Sequence, residues 1–116
     1  MQVFRSNEVP ASAVRAEGAK SARIRELITA AQGAPNFAMR LFEVEPGGHT
    51  PLHAHTWEHE VFITEGQGEV RGAQATPIKQ GDAVLVPGGE EHQFANTGGG
   101  VLKFICCIPV EQPCCR

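Results

Sequence analysis

The chain has 116 residues, of which 41% are hydrophobic, and its formal net charge is −3. This length supports one domain with a single core. The acidic balance argues against a nucleic-acid surface, which normally carries a basic patch, and no stretch approaches the roughly 20 apolar residues that a membrane helix needs. The N-terminus lacks the apolar run of a secretory signal, so a cytoplasmic location is expected.

Residues 1–20 contain few large apolar side chains, which predicts a loosely ordered N-terminal arm before a domain spanning residues 21–116. Residues 21–31, SARIRELITAA, are ambiguous. Ile24, Leu27 and Ile28 have helical spacing, although the all-β pattern that follows leaves little room for a helix. Both a helix and a strand are open here.

From residue 37 onward the chain predicts short strands separated by glycine and proline. Residues 37–45 alternate in polarity and should form a strand that ends at the Pro46-Gly47-Gly48 turn. The later predicted strands are 58–65, 69–72, 83–86 and 101–108. This regular spacing is typical of an all-β sandwich or barrel.

The stretch from Gly47 to Gly66, GGHTPLHAHTWEHEVFITEG, carries four of the five histidines, and His53, His55 and His59 lie at odd-numbered positions two and four residues apart. If this stretch is an extended strand, His53, His55 and His59 project to the same side, because successive side chains alternate faces. Neutral imidazole is the commonest protein ligand for transition metals. The spacing therefore predicts that the three rings converge on a metal ion.

A second stretch, GDAVLVPGGEEHQFAN over residues 81–96, reads as a turn, a short apolar strand, a Pro-Gly turn and a new strand that carries His92. Together the two stretches resemble the two sequence motifs of the cupin superfamily. The positions that match the motifs are Gly47, His53, His55, His59 and Gly66 in the first, and Gly81, Pro87, Gly89, His92 and Asn96 in the second.

The resemblance implies an all-β fold, a cupin β-barrel of jelly-roll type with two antiparallel sheets. It also favours a strand over residues 21–31, and it implies that the N-terminal arm crosses a neighbouring subunit, as in many cupin dimers. A homodimer is expected on physical grounds too, because so short a barrel exposes apolar sheet faces and edges.

The third ligand position departs from the usual cupin pattern, in which it is glutamate. Regular alternation puts His59 on the face of His53 and His55 and puts Glu60 on the opposite face, whereas a bulge near Trp57 would exchange the two. The His-x-His-x-Trp-Glu-His run resembles a group of small single-domain cupins whose site has four histidines. We therefore expect His53, His55, His59 and His92 to be the ligands.

The metal itself cannot be read from the ligands, because imidazole suits Fe, Cu, Ni, Co and Zn, and the family resemblance favours Mn or Fe. Four neutral imidazoles leave a divalent ion with its full charge, so the site should favour anionic ligands. With six-coordination two positions stay open, enough for substrate beside dioxygen.

We therefore predict a metal-dependent oxidoreductase, a dioxygenase acting on a small organic substrate. A non-catalytic ligand-binding or sensing module with a structural metal, and a sugar or keto-acid isomerase, are the alternatives.

Strand parity also predicts a substrate pocket. Phe94 shares the face of His92, and Phe104, Cys106 and Ile108 share one face of the last strand. Arg40 would hold an acid group if it points inward, and would be an ordinary exposed arginine otherwise. Glu60 is the one candidate for a general base or for support of a ligand histidine.

The four cysteines form two adjacent pairs, Cys106-Cys107 and Cys114-Cys115. In a cytosolic chain reduced thiols are expected, with a disulfide or a soft-metal site between the pairs as the alternative. Alternation puts one residue of the first pair inside, and Cys106 is the predicted pocket thiol.

Overall fold

The computed structural model describes residues 1–111, and most of them lie in antiparallel strands. Two short 3-10 turns occur, at Ser6–Glu8 and at Ala30–Gln32. None of the described helical segments has the length and hydropathy to cross a membrane. The strands are β1 (Ser12–Ala13), β2 (Lys20–Ile28), β3 (Phe37–His49), β4 (His59–Glu65), β5 (Gln67–Arg71), β6 (Ala75–Lys79), β7 (Ala83–Val86), β8 (Gln93–Asn96) and β9 (Leu102–Pro109).

The strands form a curled antiparallel sheet in the order β6-β5-β8-β3-β9-β4-β7, and β2 adds to β3. The long strand β3 joins the two halves, because residues 37–44 pair with β9 whereas His49 at its end pairs with Ala95 of β8. This arrangement confirms the predicted all-β, jelly-roll class.

The core lies inside the curl and follows strand alternation. Along β9, Leu102, Phe104, Cys106 and Ile108 are buried, while the residues between them are half-buried. Val44 of β3 and Ile63 of β4, the two strands that pair with β9, are completely buried beside them. The parity predicted for the last strand is therefore confirmed, and it fixes which side chains can reach the interior.

Residues 20–28 form a strand, as the family resemblance favoured. Ile24 and Ala22 lie opposite Phe42 and Val44 of β3, so burial against β3 decides the conformation in spite of the helical spacing. The 3-10 turn that follows is held by a reciprocal cap between Thr29 and Gln32. The residues with helical spacing, Ile24, Leu27 and Ile28, therefore all lie in the strand, and only residues 30–32 form a helical turn.

Strand β3 continues through Pro46, Gly47 and Gly48, so the predicted turn at these residues is wrong. The two glycines accommodate a bulge in the β2–β3 pairing, between Lys20 and Ala22. A Cβ atom on Gly48 would lie 2.6 Å from the Lys20 carbonyl oxygen, so glycine lets the strands approach closely.

The N-terminal segment packs on its own barrel. Ser12 and Ala13 pair with Ile24 and Arg23 of β2, and the Val14 amide donates to the Ala22 carbonyl at 2.9 Å. We call residues 12–19 the strap. Further out, Arg25 Nη1 donates to the carbonyls of Val9 at 2.6 Å and Ser6 at 3.4 Å. These hydrogen bonds fix a segment that the sequence had predicted to be loosely ordered.

Candidate metal centre and cavity

The two histidine-bearing stretches meet through their backbones. His53 and His92 form an isolated antiparallel bridge, in which each amide donates to the other carbonyl, at 3.1 and 2.9 Å. Nearby, the Gly89 amide donates to the His55 carbonyl at 2.7 Å. A Cβ atom on Gly88 would collide with the Thr56 carbonyl oxygen. The glycines of the second stretch therefore let it lie directly against the first.

His53 and His55 lie in the loop of residues 50–58, so the prediction that a continuous strand carries them is wrong. Of the three histidines predicted to share a strand, only His59 lies in one, as the first residue of β4. Pro51 cannot donate a ladder hydrogen bond, which disfavours a strand there. The convergence of the rings comes from the bridge to His92 rather than from strand parity.

The rings nevertheless form one cluster. The ligand nitrogens of His53, His55 and His92 all lie within 4.8 Å of one another, which is compatible with a metal site. Centroid distances are 4.9 Å for His53–His55 and 4.9 Å for His53–His92. His59 is adjacent, with its ring centroid 4.4 Å from that of His55 and 4.9 Å from that of His92.

The second ring nitrogens of two histidines are held by backbone carbonyls. His92 Nδ1 lies 2.9 Å from the Glu90 oxygen, and His55 Nδ1 lies 3.1 Å from the Trp57 oxygen. A carbonyl only accepts, so each Nδ1 carries the proton and each Nε2 presents a lone pair. His92 Nε2 is buried and has no partner in the described residues. This donor set fits a metal ion.

His59 faces inward, with 7% of its surface exposed, whereas its neighbour Glu60 is exposed on the opposite face. Its Nε2 lies 2.6 Å from His55 Nε2, and its Nδ1 lies 2.9 Å from Cys106 Sγ. Two imidazole lone pairs at this separation repel each other unless a proton or a cation lies between them. This geometry fits His59 as a further donor.

A cavity of about 160 Å³ opens beside the cluster. Of the predicted pocket residues, Arg40, Phe94, Phe104 and Cys106 line it. Ile108 is buried in the core and lies outside the lining, and Glu60 lines a separate pocket on the outer face with Cys107. The other lining residues are Val14, Ala16, Ile24, Phe42, Thr50, Pro51, His53, His59 and His92.

The model of a family described as "Cupin domain" matches residues 40–108, which include the whole histidine cluster and all the predicted ligands. The chain belongs to the cupin family.

Similar proteins with differing names share this cupin fold. A polyketide cyclase from Streptomyces resistomycificus is 35% identical, with a TM-score of 0.92 over 98% of this chain and 82% of that one. The 1-methylthio-D-xylulose 5-phosphate methylsulfurylase of Rhodospirillum rubrum is 36% identical over 64% of this chain. The oxalate-binding protein of Thermotoga maritima is 36% identical over 60% of it. These matches span only 48% and 61% of the two curated relatives.

The buried position of the histidine cluster lowers the pKa of its rings. Burial, reinforced by the neighbouring His92, His55 and Arg40, lowers the pKa of His53 to about 4. Burial, followed by the charges of His55 and Arg40, lowers the pKa of His59 to about 2. Burial also lowers the pKa of His55. These rings are therefore neutral at pH 7, the state that a metal ligand requires.

Arg40 points into the cavity, where its guanidinium lies 5.1 Å from the Phe42 ring centroid. Its Nη2 donates to Cys106 Sγ at 3.2 Å, and its buried Nε has no partner. The ion pairs of the described residues involve Glu43, Glu65 and Glu69, and none reaches Arg40. Burial raises the pKa of the Cys106 thiol, so the sulfur is a neutral partner.

Some functional positions carried no sequence signal. Val14 and Ala16 line the cavity from a segment whose composition suggested only an arm. Trp57 stacks on His55, with centroids 4.1 Å apart, and so orients that ring.

Cys106 is buried and Cys107 half-buried, both as free thiols. Cys114 and Cys115 lie outside the described residues, as does any bridge to them.

Proposed function

We propose that this cupin is a metal-dependent enzyme acting on a small anionic organic substrate, with His53, His55, His59 and His92 as ligands of one divalent ion. The observation that supports it best is the convergence of imidazole nitrogens at a cavity that also contains an unpaired arginine. An unpaired charge inside an apolar cavity is costly, and an anionic substrate would compensate it.

Each side chain has a role in this proposal. Trp57 and the Glu90 carbonyl hold the ligand rings in position, and Arg40 orients the acid group of the substrate. Phe94 and Phe104 exclude water from the cavity. When bound, the ion supplies Lewis acidity that polarises a substrate oxygen. Mn or Fe is our first choice, and Ni, Cu, Zn and Co also suit imidazole ligands.

For the reaction itself we favour Lewis-acid activation of an enolisable carbonyl compound. The similarity to a polyketide cyclase over nearly the whole chain supports this class. The second candidate is the dioxygenase expected from the sequence, supported by the neutral, all-imidazole donor set. An isomerase would share this need for proton abstraction, and no feature of the described residues that line the cavity favours it over simple enolisation.

The test compares the metal-free protein with samples reconstituted with Mn(II), Fe(II) or Zn(II). Acetylacetone in D2O serves as a small enolisable probe, with deuterium exchange followed by NMR and oxygen uptake by electrode. We expect one ion per chain and exchange at least tenfold faster in the loaded protein. Oxygen uptake by the Fe(II)-loaded protein, but not by the Mn(II)- or Zn(II)-loaded protein, would favour the dioxygenase. Stoichiometric metal binding without either activity would leave the non-catalytic ligand-binding module.

We also propose that the protein is a cytoplasmic homodimer. The outer face of the sheet exposes Phe37, Met39, Phe62 and Leu85 across neighbouring strands. Several large apolar side chains exposed on one face of a sheet are typical of protein interfaces, and pairing two copies would cover them.

A further inference from the structure

We infer that the cavity binds a single-ring planar carboxylate, and that Val14 and Ala16 of the strap set the upper limit of its size. This inference rests on the proposed function for the role of Arg40 and extends it to the class of ligand. Three features carry it, namely an aromatic wall, a cation without a counter-ion, and a short segment that closes the remaining side.

The aromatic wall is a stack of three phenylalanines. The Phe94 and Phe104 centroids lie 4.7 Å apart and the Phe104 and Phe42 centroids 5.1 Å apart, with interplanar angles of 29° and 14°. All three rings line the cavity. Because the rings are stacked on one another, Phe104 presents its edge to the cavity. The positive edge of an aromatic ring packs well against the face of a flat, conjugated ligand, so this wall favours such a ligand over a puckered aliphatic one.

The cation is Arg40, at one end of this stack. Its cross-strand neighbour on β2 is Glu26, which is exposed and makes no ion pair with it. A carboxylate from solution matches the planar fork of a guanidinium, and it would replace the weak thiol contact. The acid group would thus lie beside Arg40 while the ring lies along the phenylalanines.

The strap closes the cavity. Val14 packs against the core cluster and lines the cavity, and Ala16 lines it two residues further on. Gly18 comes next, and a Cβ atom on it would lie 3.7 Å from Pro51 of the ligand-bearing loop. With the strap in this position the cavity volume is about 160 Å³, below the roughly 300–1,000 Å³ of sites for drug-sized ligands.

The experiment titrates the full-length zinc-loaded protein with benzoate, 2-naphthoate, cyclohexanecarboxylate and benzamide. Binding is followed by the ¹⁵N-NMR shifts of the backbone amides. We expect benzoate to bind at least tenfold more tightly than the other three and to shift the amides of the strap. Arg40→Gln should weaken benzoate binding at least tenfold. Val14→Ala should improve naphthoate binding several-fold.

Ala16→Leu and Ala13→Leu form a matched pair, because Ala13 lies in the strap but outside the cavity lining. Ala16→Leu should weaken benzoate binding at least fivefold, whereas Ala13→Leu should leave it unchanged. Equal effects of the two variants, equal binding of benzamide, or no binding of benzoate at 20 mM would overturn the inference.

Metal affinity, measured separately by competition with a chelator, distinguishes the two proposals. Loss of metal binding with benzoate binding retained would refute the metal-dependent enzyme and leave the carboxylate site standing. Normal metal binding and normal deuterium exchange of acetylacetone, without benzoate binding, would refute the carboxylate site and leave the metal-dependent enzyme standing.

Discussion

At the residue scale, His92 combines the features expected of a ligand: burial, a proton fixed on Nδ1 by the Glu90 carbonyl, and an Nε2 with no partner in the described residues. We predict that His92→Gln weakens metal binding at least about 100-fold. Loss of a residue that only hydrogen-bonds to a metal ligand already lowers metal affinity about 10–100-fold, and loss of the ligand itself should cost more. Chelator competition gives the affinity.

His49→Gln is the matched control for this variant. The His49 ring lies outside the cluster, against the Thr50 carbonyl and the Gln93 amide. Its metal affinity should equal that of the unmodified protein. If both variants bind metal equally well, the assignment of His92 as a ligand is refuted, provided that circular dichroism shows both to be folded.

The same cluster predicts an acid-sensitive metal-free protein. Buried His59 has its pKa lowered to about 2, whereas in the unfolded chain it titrates near 6.5. Between these values the unfolded state binds a proton that the folded state does not, so the free energy of unfolding decreases as pH falls below 6.5. His59 alone should contribute roughly 1–2 kcal/mol of this loss between pH 6.5 and 5.

Urea unfolding of the metal-free protein at pH 7.5, 6 and 5 measures this dependence. His59→Gln should show a shallower decline, because the substituted side chain takes up no proton in either state. Carboxylates titrate equally in both proteins, so they cancel in the comparison. Identical slopes for the two proteins would contradict the prediction.

At the scale of the strands, three glycines differ in what an added side chain would meet. Gly66, between β4 and β5, has a φ of +86°, and a Cβ atom on it would collide with the Val101 carbonyl oxygen. Gly47 has a φ of +81° but open space around it, and Gly99 has open space and no positive φ. Alanine at these three positions therefore separates the strain of a left-handed backbone from the strain of a steric contact.

We predict a graded series of alanine variants. Gly99→Ala should change the free energy of unfolding by less than about 0.5 kcal/mol. Gly47→Ala should cost about 1 kcal/mol, from the left-handed backbone alone. Gly66→Ala adds the carbonyl contact and should cost roughly 2–4 kcal/mol. Denaturant midpoints at constant slope measure all three, and any other order would contradict the prediction by showing that the backbone relaxes around the new methyl group.

These elements also show how far sequence reasoning reaches. Alternation along β9 was readable because one face of that strand is buried and the other is not. The continuation of β3 through Pro46 and the two glycines was not readable, because Gly-Gly marks a bulge and a turn equally well. Local pattern decides side-chain parity, whereas cross-strand contact decides where a strand ends.

The site shows the same division. The motif spacing identified the histidines, but it placed His53 and His55 on a strand, and their convergence depends on the long-range bridge to His92. The strap residues Val14 and Ala16 carry no local pattern that could reveal a cavity wall. Such positions become visible only when the N-terminal segment is seen to pair with β2.

At the scale of the whole molecule, the outer apolar face predicts self-association. Phe62 on β4 lies opposite Ile105 of β9, and Leu85 on the edge strand β7 lies opposite Glu60 of β4. Phe62 is 50% exposed and Leu85 62% exposed. Placing lysines at both positions should raise the dissociation constant of the dimer at least 100-fold, because each substitution removes apolar contact area and puts a charged group where the apolar side chains of the partner would pack.

Leu52→Lys is the control, since Leu52 is 52% exposed but lies in the loop of residues 50–58 and not on β3, β4 or β7. Light scattering after gel filtration, from 1 to 200 µM, should give a dimer for the unmodified protein and for this variant, and a monomer for Phe62→Lys with Leu85→Lys. Metal content should stay equal in all three, because each chain carries its own histidine cluster. An unmodified protein that is monomeric at 200 µM would refute the homodimer.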